Sequence, residues 1–281
     1  VKEPVAPEFP LLQSHHTVFS YLHLAANREL ADKLVEIGLT AVAFETVTVN
    51  GALPLLAPMS DVAGRISVQT GAQLLYKTQG GKGLLLGGLP AAERGNVVVT
   101  GAGNAGSSAA RIAQRLGANV TVFDRKREKL ARMRQLGDNV SGLYPYPDAV
   151  AEAIARADLV VSAVLVPGAR APHVVSRDMV KTMAPGGVIV DISVDQGGSV
   201  ETIHATDYSA PTYIEEEVVH FAVTNMPAAV PRSASQALSA ELMPFVKLYL
   251  EKGGPEGDIL ATGINVKQGR IVHPPVAESQ G

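Results

Sequence analysis

The stretch that decides the fold is Val97-Val98-Val99-Thr100-Gly101-Ala102-Gly103-Asn104-Ala105-Gly106, with Val120-Thr121-Val122-Phe123-Asp124 downstream of it. The β-branched residues of each run predict a buried strand. Between the runs, residues 107–116 have apolar side chains at helical spacing, and Gly117 is a typical helix end. We therefore predict a strand–turn–helix–strand unit whose turn carries three glycines.

The three glycines have the spacing Gly-x-Gly-x-x-Gly, and each position has a physical reason. Gly101 allows the tight turn, Gly103 lets a pyrophosphate approach the backbone, and Gly106 lets the helix pack closely on the strand. The helix N-terminus offers N–H groups and a positive dipole end to the phosphates. The unit predicts a dinucleotide site; the alternative is an ordinary strand–helix–strand turn that holds no ligand.

Asp124 ends the second strand of the unit. At this position of a dinucleotide-binding unit, an acidic residue typically bonds the ribose hydroxyls. Its negative charge disfavours the additional 2′-phosphate of NADP, so we predict NAD as the cofactor. Arg125 and Lys126 follow directly, and a basic residue at this place can accept that phosphate. NAD is therefore the prediction, and NADP stays open as the alternative.

Strands and helices alternate between residues 96 and 224, which predicts an α/β fold with a doubly wound parallel sheet of the Rossmann type. Ligands of such sheets bind beyond the carboxyl ends of the strands. Polar residues are predicted at those ends, and they are Thr100, Asp124, Asp191, Asp195 and Asn225.

A second, smaller α/β domain is predicted from both ends of the chain. A strand–helix–strand pattern precedes residue 55, and its two strands end at His23 and Glu45. After the parallel sheet, a long helix from 235 to 251 and a hairpin beginning at Ile264 return to this domain. The predicted division is 1–54 for a partial substrate domain, 55–232 for the dinucleotide-binding domain and 233–281 for the return to the substrate domain.

Two connections between the predicted elements carry specific expectations. Ser60 is predicted to cap a helix that runs from Asp61 to Tyr76, because a serine hydroxyl can accept a bond from a free helical N–H group. Val166-Pro167-Gly168-Ala169 is predicted as the loop that follows a fully apolar strand.

Composition limits the kinds of partner. The 281 residues carry a net charge of −3, which gives no general attraction to nucleic acid or to an anionic membrane. No apolar run reaches the length of a membrane span. There is no cysteine, so disulfides and cysteine ligands are excluded, and a cytoplasmic protein is the expectation. No set of residues has the spacing of a zinc site, and we predict no metal.

Three residues are candidates for the chemistry of a nicotinamide-dependent enzyme, and each has a structural alternative. His23 follows a strand, and a histidine is the residue type best suited to move protons near neutral pH; the alternative is a buried structural histidine. Lys2 can bind a carboxylate or polarise a carbonyl, or it is a surface lysine. Asp195 lies on a glycine-flanked loop after a core strand, where polar residues often have a functional role; the alternative is that it only forms a turn.

Several motifs along the whole chain resemble those of the alanine dehydrogenase family, which belongs to the alanine dehydrogenase/transhydrogenase N-terminal superfamily. They are Val1-Lys2-Glu3-Pro4, Tyr21-Leu22-His23-Leu24-Ala25-Ala26, Leu53-Pro54-Leu55-Leu56-Ala57-Pro58-Met59-Ser60, Gly80-Gly81-Lys82-Gly83, Gly101 to Gly106, Val194-Asp195-Gln196-Gly197-Gly198 and Asn225-Met226-Pro227. Each motif is short, but together they are specific.

The resemblance implies NAD-dependent, reversible oxidative deamination of L-alanine to pyruvate and ammonia, a reaction of amino-acid catabolism. It implies that Lys2, His23 and Asn225 bind the substrate, that His23 is also the acid/base and that Asp195 assists proton transfer. The implied contacts with NAD are Ser60, Gly101, Gly103, Asn104, Ala105, Gly106, Asp124, Lys129, Val164, Leu165, Ile192, Ser193, Val194, Asp195, Val223, Thr224, Asn225 and Met226.

The resemblance also implies a homo-oligomer, commonly a hexamer in this family. Family members carry a further segment before the Val-Lys-Glu-Pro motif, with an arginine that clamps the substrate carboxylate, so the chain is expected to be N-terminally truncated relative to them. Two alternatives to L-alanine dehydrogenase therefore stay open: a family member that binds NAD without turnover, and a dehydrogenase of a related small amino acid.

Overall fold

A computed structural model describes residues 1–166, 171–255 and 258–280. The strands of this part of the chain are β1 Thr17–Ser20, β2 Thr40–Ala43, β3 Asn96–Thr100, β4 Asn119–Phe123, β5 Val140–Leu143, β6 Leu159–Ser162, β7 Val188–Asp191, β8 Thr212–Glu215, β9 Val218–Phe221, β10 Ile264–Lys267 and β11 Arg270–Ile271. The α-helices are α1 Arg28–Ile37, α2 Ala57–Leu74, α3 Asn104–Leu116, α4 Arg127–Arg134, α5 Pro147–Ala155, α6 Arg177–Lys181, α7 Pro231–Lys252, α8 Asp258–Ala261 and α9 Pro274–Gln280.

The larger sheet has the strand order β5-β4-β3-β6-β7-β9-β8, and every pair in it is parallel except β8 with β9. Successive valines of β3 alternate between two apolar clusters, with Val97 and Val99 in one and Val98 in the other. Both faces of the strand are therefore covered, which is why the sequence shows a continuous apolar run. The predicted α/β fold with a doubly wound, Rossmann-type sheet is confirmed.

The sequence pattern missed β8. This edge strand pairs antiparallel with β9, and two of its four residues, Thr212 and Ile214, point to solvent. A half-exposed edge strand mixes polar and apolar residues, so it gives a weaker signal than the buried parallel strands.

The smaller sheet has the order β1-β2-β10-β11. β1 and β2 are parallel, and the predicted hairpin of β10 and β11 joins them antiparallel to β2. Helix α1 covers this sheet with Leu30 and Leu34, and the Asn27 side chain caps the helix by accepting a bond from the Leu30 N–H group at 3.1 Å. The sheet thus combines strands from both ends of the chain.

The chain divides into two compact units. One comprises Val1–Met59, a short segment that begins at Val166, and the chain from Val230 onwards; the other comprises Ser60–Leu165 and Ala171–Ala229. The assignment of substrate and cofactor roles to residues 1–54, 55–232 and 233–281 stays a prediction. Among the described residues, no helix is both long and apolar enough to cross a membrane.

The helix predicted from Asp61 begins earlier, at Ala57, so the prediction that Ser60 caps it is wrong. Pro58 lies in the first helical turn, where its missing N–H group costs nothing, and this placement moves the helix start upstream of Ser60. Of the loop predicted at Val166-Pro167-Gly168-Ala169, the last three residues lie outside the described part of the chain.

Candidate active site

The glycine turn after β3 has the close packing that its spacing predicts. Gly101 adopts a φ of +92°, which favours glycine, and a Cβ atom there would lie 2.6 Å from the Ala163 carbonyl oxygen. A Cβ atom at Gly106 would lie 1.7 Å from the carbonyl oxygen of Gly101, so only glycine lets α3 start this close to the strand. A Cβ atom at Gly103 would meet no atom within 4 Å, so this side of the turn is open.

Helix α3 begins directly at this open side. Gly103 is its N-cap residue, and no side chain caps the helix. The carbonyl of Gly103 accepts the first helical bond, from the Ser107 N–H group at 2.8 Å. An uncapped N-terminus of a 13-residue helix beside an open turn has the donors and the dipole that a pyrophosphate requires. The residues present therefore fit a dinucleotide.

Asp124 connects the end of β4 with the glycine turn. Its carboxylate accepts a bond from the Ala102 N–H group at 2.8 Å and another from the Lys126 N–H group at 2.8 Å. The Lys129 ammonium lies 3.5 Å from the same carboxylate. The structure thus brings together two residues that the sequence assigns to NAD, Asp124 and Lys129, and it shows that Asp124 also stabilises the turn.

A second polar group lies where β7 and β9 end, and it joins Asp195 with Asn225. The Asn225 N–H group donates to both carboxylate oxygens of Asp195, at 3.2 and 3.3 Å. Asn225 has a φ of +56°, a left-handed conformation that asparagine tolerates better than most residues. Asp195 belongs to the 3₁₀ helix Ile192–Gln196, whose Ser193 hydroxyl donates to the Val164 carbonyl at 2.7 Å.

The other residues that the sequence assigns to NAD differ in exposure. The side chains of Val223 and Met226 are buried in the apolar core, which leaves their backbone for any contact with a ligand. The Met226 carbonyl already accepts a bond from the Tyr208 hydroxyl. Leu165 is exposed, and Val164 is partly buried. Ser60 lies in the first turn of α2, next to Asp61, whose carboxylate accepts a bond from Ser108 of α3.

Asp191 organises the loop that carries Asp195, and its carboxylate is fully buried. It accepts bonds from the N–H groups of Ser193 at 2.7 Å, Ser199 at 2.6 Å and Val200 at 3.1 Å. Burial raises the pKa of Asp191 to about 6, although these backbone bonds act in the opposite direction. Asp191 was predicted at a strand end, with no role assigned to it.

We expect Asp191 to give stability a distinct pH dependence. Because its folded pKa of about 6 lies above the ordinary 3.8, the native state binds a proton that the unfolded chain releases. The contribution of Asp191 to the free energy of unfolding therefore decreases by about 2–3 kcal/mol as the pH rises from about 4 to about 6. In Asp191→Asn this decrease should be absent, as measured by urea unfolding at a series of pH values.

The matched control for this experiment is Asp138→Asn, because Asp138 is exposed in the turn before β5. The control should keep the pH dependence of the wild-type protein. Parallel stability curves for wild type and Asp191→Asn would contradict the assignment.

In the smaller unit, His23 lies beyond the end of β1 in a left-handed conformation with a φ of +48°. Its N–H group donates to the Glu45 carboxylate at 2.6 Å. The imidazole ring lies nearly parallel to the Tyr21 ring, with centroids 6.1 Å apart. Its Nδ1 atom is buried and, among the described residues, has no hydrogen-bond partner. The backbone of His23 is therefore held by Glu45, its ring packs beside Tyr21, and its Nδ1 atom has unused hydrogen-bonding capacity within the described part of the chain.

Lys2 and Glu3 lie near His23. The Lys2 ammonium binds the Glu3 carboxylate at 2.8 Å, and the Lys2 carbonyl accepts a bond from Ser20 at the end of β1. Burial acts to raise the pKa of Glu3, but the bond from Lys2 and the positive charges of Lys2 and His23 outweigh it, so this pKa is lowered. Half of the Lys2 side chain is exposed, which leaves it accessible to a substrate carboxylate.

Sequence reasoning missed several residues of this group. Glu3 is part of a quoted motif, and Glu45 was placed at a strand end, but neither was a predicted site residue. His273, just before α9, is influenced electrostatically by Glu45, and burial lowers its pKa. Its position 250 residues after His23 gives no local signal. The pairing of β2 with β10 brings the two ends of the chain together in the fold.

Comparison with known proteins decides the family. The family model described as alanine dehydrogenase/PNT, N-terminal domain matches residues 1–63, and the model for the C-terminal domain matches residues 67–274. The chain belongs to the alanine dehydrogenase/PNT family. The resemblance that the motifs indicated is therefore confirmed, and it covers nearly the whole chain.

Individual members of the alanine dehydrogenase/PNT family agree with this assignment. The chain is 45% identical to the alanine dehydrogenase of Bacillus subtilis (strain 168) over 287 residues, which cover 100% of this chain and 76% of the relative. It is similar to a solved L-alanine dehydrogenase structure, with a TM-score of 0.88, 48% identity and coverage of 99% of this chain and 78% of that one. A transhydrogenase structure from Sinorhizobium meliloti is less similar, with a TM-score of 0.78, 26% identity and coverage of 97% and 78%.

Proposed function

We propose that this chain is an NAD-dependent L-alanine dehydrogenase, which catalyses the reversible oxidative deamination of L-alanine to pyruvate and ammonia. The observation that carries the proposal is the 45% identity to a curated alanine dehydrogenase along the entire chain. The geometry supports it, because a fitting dinucleotide turn occurs in the same chain as a strained histidine at a strand end.

The glycine turn and α3 would hold the pyrophosphate of NAD, and Asp124 with Lys129 would border the adenosine ribose. The open side of Gly103 and the uncapped helix N-terminus support this placement. The chemistry that NAD would supply there is that of a hydride acceptor for the α-carbon of the substrate. What the chain itself supplies is the orientation of the two reactants and the placement of charge around them.

Lys2, His23, Asp195 and Asn225 would bind the substrate and move its protons. Lys2 holds the carboxylate through its ammonium group. During deamination, neutral His23 removes a proton from the water that attacks the imine carbon; in the reverse direction, protonated His23 returns it as water leaves. Asp195 assists these transfers, and its bond to the Asn225 N–H group fixes the loop that carries it. The optimum pH should therefore be higher for deamination than for amination.

Substrate comparison tests this function. We expect the purified protein to reduce NAD with L-alanine at a higher kcat/KM than with glycine, L-serine or L-valine, and to oxidise NADH with pyruvate and ammonium. A higher kcat/KM with another amino acid would indicate a dehydrogenase of a related substrate. NAD binding without turnover of any of them would indicate a binding protein.

We also propose that the protein assembles as a homohexamer and works in amino-acid catabolism in the cytoplasm. Exposed apolar residues of α7, Met243 and Leu250 among them, support self-association, because such residues usually become covered in an oligomer. Light scattering of the purified protein should give six times the mass of one chain, and cell fractionation should place it in the cytoplasm. A monomer in scattering would contradict the hexamer.

A further inference from the structure

We infer that Glu45 is a positioning residue for His23: its buried carboxylate binds the N–H groups of Leu22 and His23 and thereby fixes the imidazole for proton transfer. The inference rests on the proposed role of His23 as the acid/base. In this inference Glu45 supports catalysis indirectly, through the backbone of His23. Substitution of Glu45 should therefore lower kcat.

The pairing of β1 with β2 brings Glu45 opposite His23. The two strands are parallel, with Ser20 in register with Ala43. Beyond this pair the chain leaves β1 towards Leu22 and His23, while β2 continues into the 3₁₀ turn Phe44–Thr46. Glu45 is the middle residue of this turn, so its carboxylate faces the backbone that continues β1.

Both oxygens of the Glu45 carboxylate take part. Oε1 accepts bonds from the His23 N–H group at 2.6 Å and from the Leu22 N–H group at 3.2 Å, and Oε2 lies 3.3 Å from the Leu22 nitrogen. Glu45 is only 4% exposed. A buried carboxylate bound to backbone N–H groups makes strong, charge-assisted hydrogen bonds, and they hold the chain at these two residues.

His23 needs such a restraint, because its φ of +48° is rare for a residue with a side chain. Strained backbone of this kind persists only where the surroundings fix it, and it is concentrated at functional sites. Immediately after His23 the chain forms a turn, in which the Ala26 N–H group donates to the His23 carbonyl at 3.0 Å. Glu45 therefore restrains the backbone of His23 at its N–H group, and the turn restrains it at its carbonyl group.

The charge of Glu45 also acts on two neighbouring side chains, Tyr21 and His273. The Tyr21 ring stacks on His23, and burial followed by the negative charge of Glu45 raises the pKa of Tyr21. Burial lowers the pKa of His273, and the charge of Glu45 opposes that effect. Among the described residues, Glu45, Tyr21 and Glu3 interact with His23 directly. His273 interacts with Glu45, and Lys2 interacts with Glu3.

Four variants test the inference. They are Glu45→Ala, Glu45→Gln, His23→Ala and the double variant that combines Glu45→Ala with His23→Ala. Glu45→Ala should lower kcat for L-alanine about 10²-fold, because a small displacement of an acid/base has an effect of this order, while NAD affinity stays within twofold. Glu45→Gln keeps an acceptor oxygen and should lose only about tenfold. In the His23→Ala background, Glu45→Ala should cause no further loss, since residues that act as one unit are not additive.

A merely structural role would give different results. Unfolding by urea and the NMR titration of the His23 ring separate the two cases: the titration should change in Glu45→Gln even though the protein stays folded. Glu29→Gln is the matched control, because Glu29 is exposed on α1, and it should leave both kcat and the titration unchanged.

Three outcomes would overturn the inference about Glu45 alone. They are an unchanged kcat in Glu45→Ala, a loss that only follows the unfolded fraction, and a full further loss in the His23→Ala background. An active His23→Ala enzyme would overturn the proposed role of His23 together with the inference, and is thereby distinguished from a failure of Glu45 alone.

Discussion

His23→Ala is expected to lower kcat for L-alanine by about 10²–10⁴-fold, the usual contribution of a general acid/base, while NAD affinity stays nearly unchanged. The two effects should separate because His23 belongs to the smaller unit, whereas every residue proposed to contact NAD belongs to the larger one. The measurements are kcat at saturating L-alanine and NAD, and the Kd of NAD by calorimetry.

The control for this variant is His15→Ala, since His15 is exposed in the segment before β1 and has no proposed role. It should keep the kcat of the wild-type enzyme. An equal loss of turnover and of NAD affinity in His23→Ala would show that the histidine supports the structure instead of moving a proton.

Asp124→Ala should weaken NAD binding by about 10–100-fold, the range expected for losing charge-assisted hydrogen bonds, and should reduce the preference for NAD over NADP. The Asp124 carboxylate would have two roles in NAD binding. It would bind the ribose hydroxyls, and it holds the glycine turn through the Ala102 N–H group. Without its charge, nothing at this position repels the 2′-phosphate of NADP, and Arg125 and Lys126 remain beside it. The ratio of kcat/KM for the two cofactors measures the change.

A matched acidic residue lies on the next helix. Glu128 is exposed in the first turn of α4, and Glu128→Ala should change neither the affinity for NAD nor the cofactor ratio. An unchanged cofactor ratio in Asp124→Ala, with NAD still bound, would show that Asp124 does not face the ribose.

The sequence was most informative where the constraint is local. Gly106 is required by the carbonyl oxygen of Gly101 in the same turn, and Gly101 adopts a positive φ that favours glycine, so both restrictions lie in the motif itself. The valines of β3 are buried on both faces, so the strand was evident without any partner. The fold class and the position of the glycine turn at the end of a strand were therefore predictable.

The contacts that support the site depend on strand pairing and were not predictable from local patterns. Glu45 reaches His23 only because Ser20 and Ala43 are in register. Asp191 binds Ser199 and Val200 because the loop after β7 folds back on it. A carboxylate at the end of a strand looks the same in sequence whether it binds a ligand or a backbone N–H group, so these supporting roles needed the structure.

The most direct test of the central claim is the formation of NADH from NAD and L-alanine at alkaline pH, followed in the near ultraviolet, with pyruvate measured in the same samples. Our account predicts that NADH appears only when L-alanine is present, that pyruvate forms in equal amount, and that His23→Ala slows the formation of both by about 10²–10⁴-fold. Binding of NAD without any L-alanine-dependent NADH would contradict it.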